Sequence, residues 1–379
     1  MNNNPLRTLE SYGQSIWIDF ISSRLIENGG LQKFIDEDGV SGVTSNPSIF
    51  EKAIAESHDY DDRIRHLATQ GKSAEEVYET LTVEDIQHTA DILRPTFERL
   101  KGADGFVSLE VSPKLANDTP GTMEEARRLW KKVNRTNVMI KVPGTAAGIP
   151  AIRQLTSDGV SVNVTLLFGL PRYREVAEAY IAGLEERAAR REPLKGISSV
   201  ASFFLSRIDS MVDPMLDSAG RDGAAGGVPA LALKGKVAVA SAKLAHRMYG
   251  ELFAGPRFRK LLGFGATPQR LLWASTSTKN PEYSDVKYVE PLIGKDTINT
   301  VPLETLDAYR DHGKPGPTLT RGLQEAQQDL EHLERVGINL DDSTRRLEME
   351  GVGKFIKAYD QLLNAIRQKA STVAARGAA

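Results

Sequence analysis

Short apolar runs of strand length alternate with longer amphipathic helical patterns along this chain. That alternation narrows the folds open to it more than any other feature. Eight runs are predicted as strands: 15–19, 39–46, 105–111, 137–142, 160–166, 197–203, 270–275 and 286–293. Between them, segments such as 74–100 and 171–192 place apolar residues at helical spacing among charged ones. Strand and helix alternating in this way imply a parallel sheet in an α/β fold. Eight such units in one chain fit a closed (β/α)8 TIM-type barrel better than an open doubly wound sheet. No Gly-x-Gly-x-x-Gly or Walker-type loop stands between a strand and a helix, so nothing points to a dinucleotide or nucleoside triphosphate.

Two stretches depart from the alternation. Ser218 to Ala230, rich in Gly and Ala, reads as a flexible insertion between strands six and seven. From about 318 to 370 two helical patterns follow with no strand between them. The second is introduced by Asp341-Asp342-Ser343-Thr344 and carries Leu347, Phe355, Ile356, Tyr359, Leu362, Leu363 and Ile366 at amphipathic spacing, which reads as packing. The tail from Ser371 to Ala379 is expected to fray. One domain, 1–379, accommodates all of this as a barrel with extra helices and a long C-terminal helical extension.

Composition adds exclusions. Lys+Arg 48 against Asp+Glu 50 leaves a formal net charge of -2, with no global field to attract nucleic acid or an anionic membrane. The absence of cysteine removes disulfides, thiolate nucleophiles and Cys-ligated metals, and suits a reducing cytoplasm. The N-terminus, Met1 to Pro5, has neither the basic nor the apolar region of a signal peptide, and no apolar stretch approaches membrane-spanning length. A cytoplasmic globular protein is expected. The six histidines lie away from the strand ends, so neither a Ser-His triad nor a histidine metal site is supported.

Reactive side chains fall where the predicted strands end. Strand one supplies Asp19 after Trp17, strand two Asn46 after Thr44, strand three Glu110 after Ser108, strand four Lys141 after Met139, and strand five Asn163 and Thr165. Each pair keeps one parity, and alternate residues of a barrel strand point inward. Strand six ends at Ser202 with Arg207 beyond, strand seven at Ser275 with Lys279 beyond. The C-terminal ends of barrel strands are where such barrels do their chemistry.

Lys141 ends an apolar run, Val138-Met139-Ile140, just before Val142-Pro143-Gly144. Desolvation disfavours an ammonium and frees the amine to attack a carbonyl. An amine, two carboxylates, carboxamides, hydroxyls and two cations suit carbon-carbon bond cleavage through an iminium. The carboxylates would move protons, the amides and hydroxyls hold sugar hydroxyls, and Arg207 grip a phosphate. Residue by residue other readings stand: a strand-end lysine whose stem packs, helix-capping or ion-paired carboxylates, and a turn role for Asn46 before Pro47.

The segments Gly42-Val43-Thr44-Ser45-Asn46-Pro47-Ser48, the Glu110 strand, Met139-Ile140-Lys141-Val142-Pro143, Val162-Asn163-Val164-Thr165-Leu166-Leu167-Phe168 and Ser202-Phe203-Phe204-Leu205-Ser206-Arg207-Ile208-Asp209 resemble, in order, the motifs of the transaldolase family. Helical insertions and the Trp273 to Asn280 segment resemble its larger bacterial branch. The resemblance implies a class I transaldolase of the pentose phosphate pathway, without cofactor or metal, acting on phosphorylated ketoses and aldoses. By the same resemblance Lys141 would be the Schiff-base lysine, Asp19 the base on the C4 hydroxyl, and Glu110 an acid/base working through a water near Thr165. Asn46 and Asn163 would hold substrate hydroxyls, and Ser202 and Arg207 phosphate. Where shorter members place a second phosphate-binding arginine, this chain offers Ser275, Ser277 and Lys279. A related class I aldolase, a metal-dependent aldolase and a barrel that only binds sugar phosphate remain alternatives.

Overall fold

The computed structural model describes residues 4–221 and 229–377. Its centre is a closed barrel of eight parallel strands in sequential order: β1 Gln14–Ile18, β2 Val40–Val43, β3 Phe106–Glu110, β4 Val138–Pro143, β5 Val162–Leu167, β6 Ser199–Phe204, β7 Arg270–Ala274 and β8 Thr297–Val301, with β8 closing on β1. Helices such as Ala74–Arg99, Thr119–Val133 and Leu170–Ala189 surround it. Strands β2 to β6 and β8 are buried along their whole length because helices cover the outside while side chains fill the inside.

Inward residues are ordered by register. Glu110 pairs with Lys141, and Lys141 with Asn163, which sets three of the expected site residues side by side on the inner face of neighbouring strands. At the opposite end Asp104 gathers a floor. It accepts from Trp17 Nε1 at 2.8 Å, Ser41 Oγ at 3.1 Å and Ser15, and Arg270 Nη1 lies 3.3 Å away. Gly42 is required beside this floor, since a Cβ there would fall 2.3 Å from Trp17 Cε2.

Seven predicted strands form within a few residues of their expected positions; the eighth does not. Residues 286–293 are a loop with a 3-10 turn at Glu290–Leu292. Pro291 there has no N–H to give a ladder. The apolar side chains of this segment, Val286, Tyr288, Val289, Leu292 and Ile293, are buried as loop packing. The true β8, Thr-Ile-Asn-Thr-Val, hides a strand in polar residues whose donors find partners inside the fold: Thr297 Oγ1 donates to Gly294 O and Asn299 Nδ2 to Tyr288 O.

The start of the predicted insertion, 218–230, is also corrected. Ser218 to Arg221 complete the helix Ser206–Arg221, whose turns are continuous with the amphipathic residues before them; 222–228 lie outside the described residues. Both expected C-terminal helices are present, Leu323–Arg335 and Leu340–Gly377. The second extends past Ser371, where fraying was expected to begin, and crosses the C-terminal mouth of the barrel. Its approach is set by glycines. A Cβ on Gly351 would meet Leu166 Cδ2 at 2.9 Å, and one on Gly169 would meet Thr344 Oγ1 at 2.6 Å.

Candidate active site

A cavity of about 440 Å³ opens at the C-terminal end of the strands. Asp19, Asn46, Lys141, Ser202, Arg207, Ser275 and Lys279 all line it. Glu110, Asn163 and Thr165 lie buried in the barrel interior, joined to the lining by contact and register.

Lys141 is buried, and its Nζ donates to Ser45 O at 3.1 Å. Glu110 Oε2 lies 3.3 Å from the same nitrogen, and the carboxylate has no hydrogen-bond partner among the described residues. Burial pushes the Glu110 carboxyl up to about 7, against the pull of Lys141. Asp19 follows β1, its backbone N–H continuing the ladder to Val301 O at 2.9 Å. Burial raises its pKa too, opposed by Lys141, by the hydrogen bond from Thr44 Oγ1 at 2.6 Å and by Arg207. Thr44 Oγ1 in turn lies 2.7 Å from Thr300 Oγ1, so a chain of hydroxyls fixes the Asp19 carboxylate.

Asn163 is held in both directions, its Nδ2 donating to Ser108 Oγ at 3.0 Å and its Oδ1 accepting from Ser202 Oγ at 2.7 Å. The Thr165 hydroxyl is buried with no hydrogen-bond partner among the described residues. Asn46 does cap a helix, as the simpler reading had it: its Oδ1 accepts from Ile49 N at 3.1 Å at the start of Pro47–Ala55. It also lines the cavity.

Cations ring the outer part of the cavity without carboxylate partners. Arg207 packs over the Phe204 ring at 5.4 Å, and its Nη1 is buried without a hydrogen-bond partner. Burial lowers its pKa, with Asp19 and Glu350 opposing. Lys279 donates to Ser277 Oγ, and its pKa is lowered by burial, with Glu304 opposing and neighbouring Arg207 and Lys52 adding to the shift. Ser275 has a φ of 54°, uncommon outside glycine, and its hydroxyl lies 2.9 Å from that of Ser206 at the start of the helix that carries Arg207. Among the described residues none of these three cations has an ion pair, an arrangement suited to a ligand that brings its own negative charge.

The sequence reading misses several lining residues, of which four matter for the chemistry of the cavity. Lys52 belongs to no motif; its only signal was its place on the helix that Asn46 begins. Thr300 was hidden by the misplaced eighth strand, and Glu304 follows it. Phe355 was read as packing, and it is buried, but one edge of its surroundings is the cavity itself. No histidine lines the cavity, and no cluster of three metal-binding side chains occurs among the described residues.

The family model for transaldolase/fructose-6-phosphate aldolase matches residues 16–366, a span containing every one of these site residues. The chain belongs to that family. It is 49% identical to a transaldolase from Thiobacillus denitrificans, over 95% of this chain and 99% of that one. It is 45% identical to one from Trichodesmium erythraeum, over 97% and 98%, and 47% identical to transaldolase 1 of Streptomyces coelicolor, over 95% and 93%. Family membership fits the cleft as built: a buried amine beside two carboxylates, under a ring of unpaired cations.

Proposed function

We propose that the chain is a transaldolase that moves a dihydroxyacetone unit from sedoheptulose 7-phosphate to glyceraldehyde 3-phosphate, giving erythrose 4-phosphate and fructose 6-phosphate. The observation that carries this reading is Lys141 Nζ buried 3.3 Å from a carboxylate whose pKa is about 7. Lys141 attacks C2 of the ketose. The Lys141 ammonium sheds two protons in all, one before it attacks and one from the adduct; Glu110 relays both to the C2 oxygen, which leaves as water, and an iminium forms. Thr165, whose hydroxyl has no hydrogen-bond partner among the described residues, holds the water of that relay in this reading. Asp19 removes the proton from the C4 hydroxyl. The C3–C4 bond breaks, its electron pair flows to the iminium nitrogen, and the aldose phosphate leaves an enamine behind. Attack of the enamine on the second aldehyde, return of the proton from Asp19 and hydrolysis complete the transfer.

Asn46 and the Ser202–Asn163 pair hold hydroxyls of the sugar, while Arg207, Ser275 and Lys279 take the phosphate. The near balance of charge gives no reason for a nucleic-acid partner, and no described helix is long and apolar enough to cross a membrane; together with the cysteine-free composition this supports a cytoplasmic place. The reading is tested by borohydride reduction with fructose 6-phosphate and peptide mapping. The adduct is expected on Lys141, and Lys141→Met should abolish both label and transfer; label on another lysine, or surviving activity, would overturn it. Chelators should leave activity intact. Arg207→Ala should raise KM for phosphorylated substrates, a loss of about 1.5–3 kcal/mol for a charge-assisted hydrogen bond, while barely affecting unphosphorylated analogues.

A further inference from the structure

The C-terminal helix Leu340–Gly377 presents one stripe of residues to the barrel mouth. Glu348 takes Arg172 Nε at 3.0 Å, Gly351 fits against Leu166, Phe355 lines the cavity, and Tyr359 meets Tyr78 edge-on with ring centroids 5.4 Å apart. These positions are three or four apart and so lie on one helical face. Within that stripe Phe355 is only 3% exposed, and Lys141 Nζ stands 5.9 Å from its ring centroid. An aromatic ring therefore covers an amine whose other close neighbours, Ser45 O and Glu110, are polar.

Transfer has an interval in which this cover matters. After the first aldose departs, the three-carbon enamine stays on Lys141 until a second aldehyde arrives. Water can intercept it. The enamine carbon C3 takes a proton, the nitrogen lone pair forms the iminium, and water adds to C2. The carbinolamine then collapses, the C2–N bond breaks, and free dihydroxyacetone and the lysine amine are released with one water consumed. No oxidant or other reactant is needed. A closed, water-poor site suppresses such side reactions.

We propose that Phe355 is a positioning residue that keeps water from the Lys141-bound carbon and so sets how the enamine divides between transfer to an aldehyde and loss as dihydroxyacetone. The proposal rests on the lysine-imine reading above. Phe355 does not touch a proton in it; the ring limits bulk water beside the nitrogen while the enamine waits, and the single water handled by Glu110 and Thr165 still serves imine formation and the final hydrolysis. Its place is fixed on both sides along the helix, by Gly351 one turn before and by Tyr359 one turn after, where Lys114 also bonds Asp360 at 2.7 Å.

The test compares the full-length wild type with Phe355→Leu and Phe355→Ala, using fructose 6-phosphate as donor and erythrose 4-phosphate as acceptor. Free dihydroxyacetone and the seven-carbon ketose phosphate are quantified in the same reaction, and the imine is trapped with borohydride in parallel. The ratio of released to transferred product is expected to rise from wild type through Leu to Ala, by on the order of tenfold at Ala. Because it is a ratio, it is insensitive to the fraction of variant that folds, and the Leu variant serves if Ala is too unstable to isolate. If the imine still traps on Lys141 but the ratio stays at the wild-type value in both variants, Phe355 has no such role and the transfer reading stands. If the wild type itself traps no imine, both fall.

Discussion

At the scale of single residues, the site separates two carboxylates that have the same chemistry in water. Asp19 and Glu110 are both pushed up by burial and pulled down by Lys141, but only Asp19 is held by a hydroxyl chain through Thr44 to Thr300. Among the described residues Glu110 has no partner but the amine. Asp19→Asn should therefore still form a trappable imine, with cleavage reduced by on the order of 10²–10⁴-fold, the usual contribution of a positioned base. Glu110→Gln should slow imine formation itself. Rapid-quench trapping decides between them, and a reversed pattern would exchange the two roles.

The same glutamate has a consequence for stability. Its folded pKa of about 7 stands above the ordinary 4.5, so between those values the native state holds a proton that the unfolded chain gives up. Its contribution to stability is thus present at low pH and lost as pH rises from about 4.5 through about 7. Replacing it with glutamine removes that dependence, and the melting temperature of Glu110→Gln relative to wild type should climb across this window. A flat or falling difference in paired thermal melts would count against a buried, proton-binding Glu110.

At the scale of elements, the strand ends were legible because parity is local: Trp17 and Asp19, Ser108 and Glu110, Met139 and Lys141 each differ by two, whatever the rest of the chain does. The eighth strand was not legible. Val286 to Ile293 is the more apolar segment, yet Pro291 and the docking of Tyr288, whose hydroxyl donates to Asp209 at 2.9 Å, keep it out of the sheet. Strand β2 offers a sharper test of packing. Gly42→Ala changes nothing in hydropathy pattern, but its Cβ would land on the Trp17 indole, whose Nε1 is tied to Asp104. Overpacking of this kind should cost about 1–3 kcal/mol, read as a lower urea midpoint with an unchanged slope.

At the scale of the whole molecule, we propose that barrel and C-terminal helices are one folding unit. The C-terminal helix is bound to the barrel side by ion pairs from Arg172 to Glu348 and Lys114 to Asp360 and by the Gly351 contact. The floor is the place to test cooperativity. Asp104→Ala leaves Arg270 and the Trp17 indole without their shared acceptor, a loss of about 3 kcal/mol expected for removing one partner of a buried pair. In a Trp130→Phe background, which removes the one tryptophan on an outer helix, the fluorescence of Trp17 and Trp273 reports the barrel, and it and far-ultraviolet circular dichroism, dominated by the outer helices, should shift together. Two separated transitions would divide the chain into independent units.

The sequence by itself determined the barrel and most of the rim, because strand parity, the Pro and Gly stops and the placement of Asp19, Glu110 and Lys141 depend only on near neighbours in the chain. It also carried Arg207 and Lys279 to the right end of the barrel, since each stands just beyond a strand. Only the tertiary structure decided which apolar segment closed the sheet, that Lys52 faces the same cavity as those cations, and that Phe355 of the final helix covers Lys141. Those outcomes turn on contacts between segments far apart in the chain, and an aromatic at amphipathic spacing reads the same whether its ring meets another helix or a reacting amine.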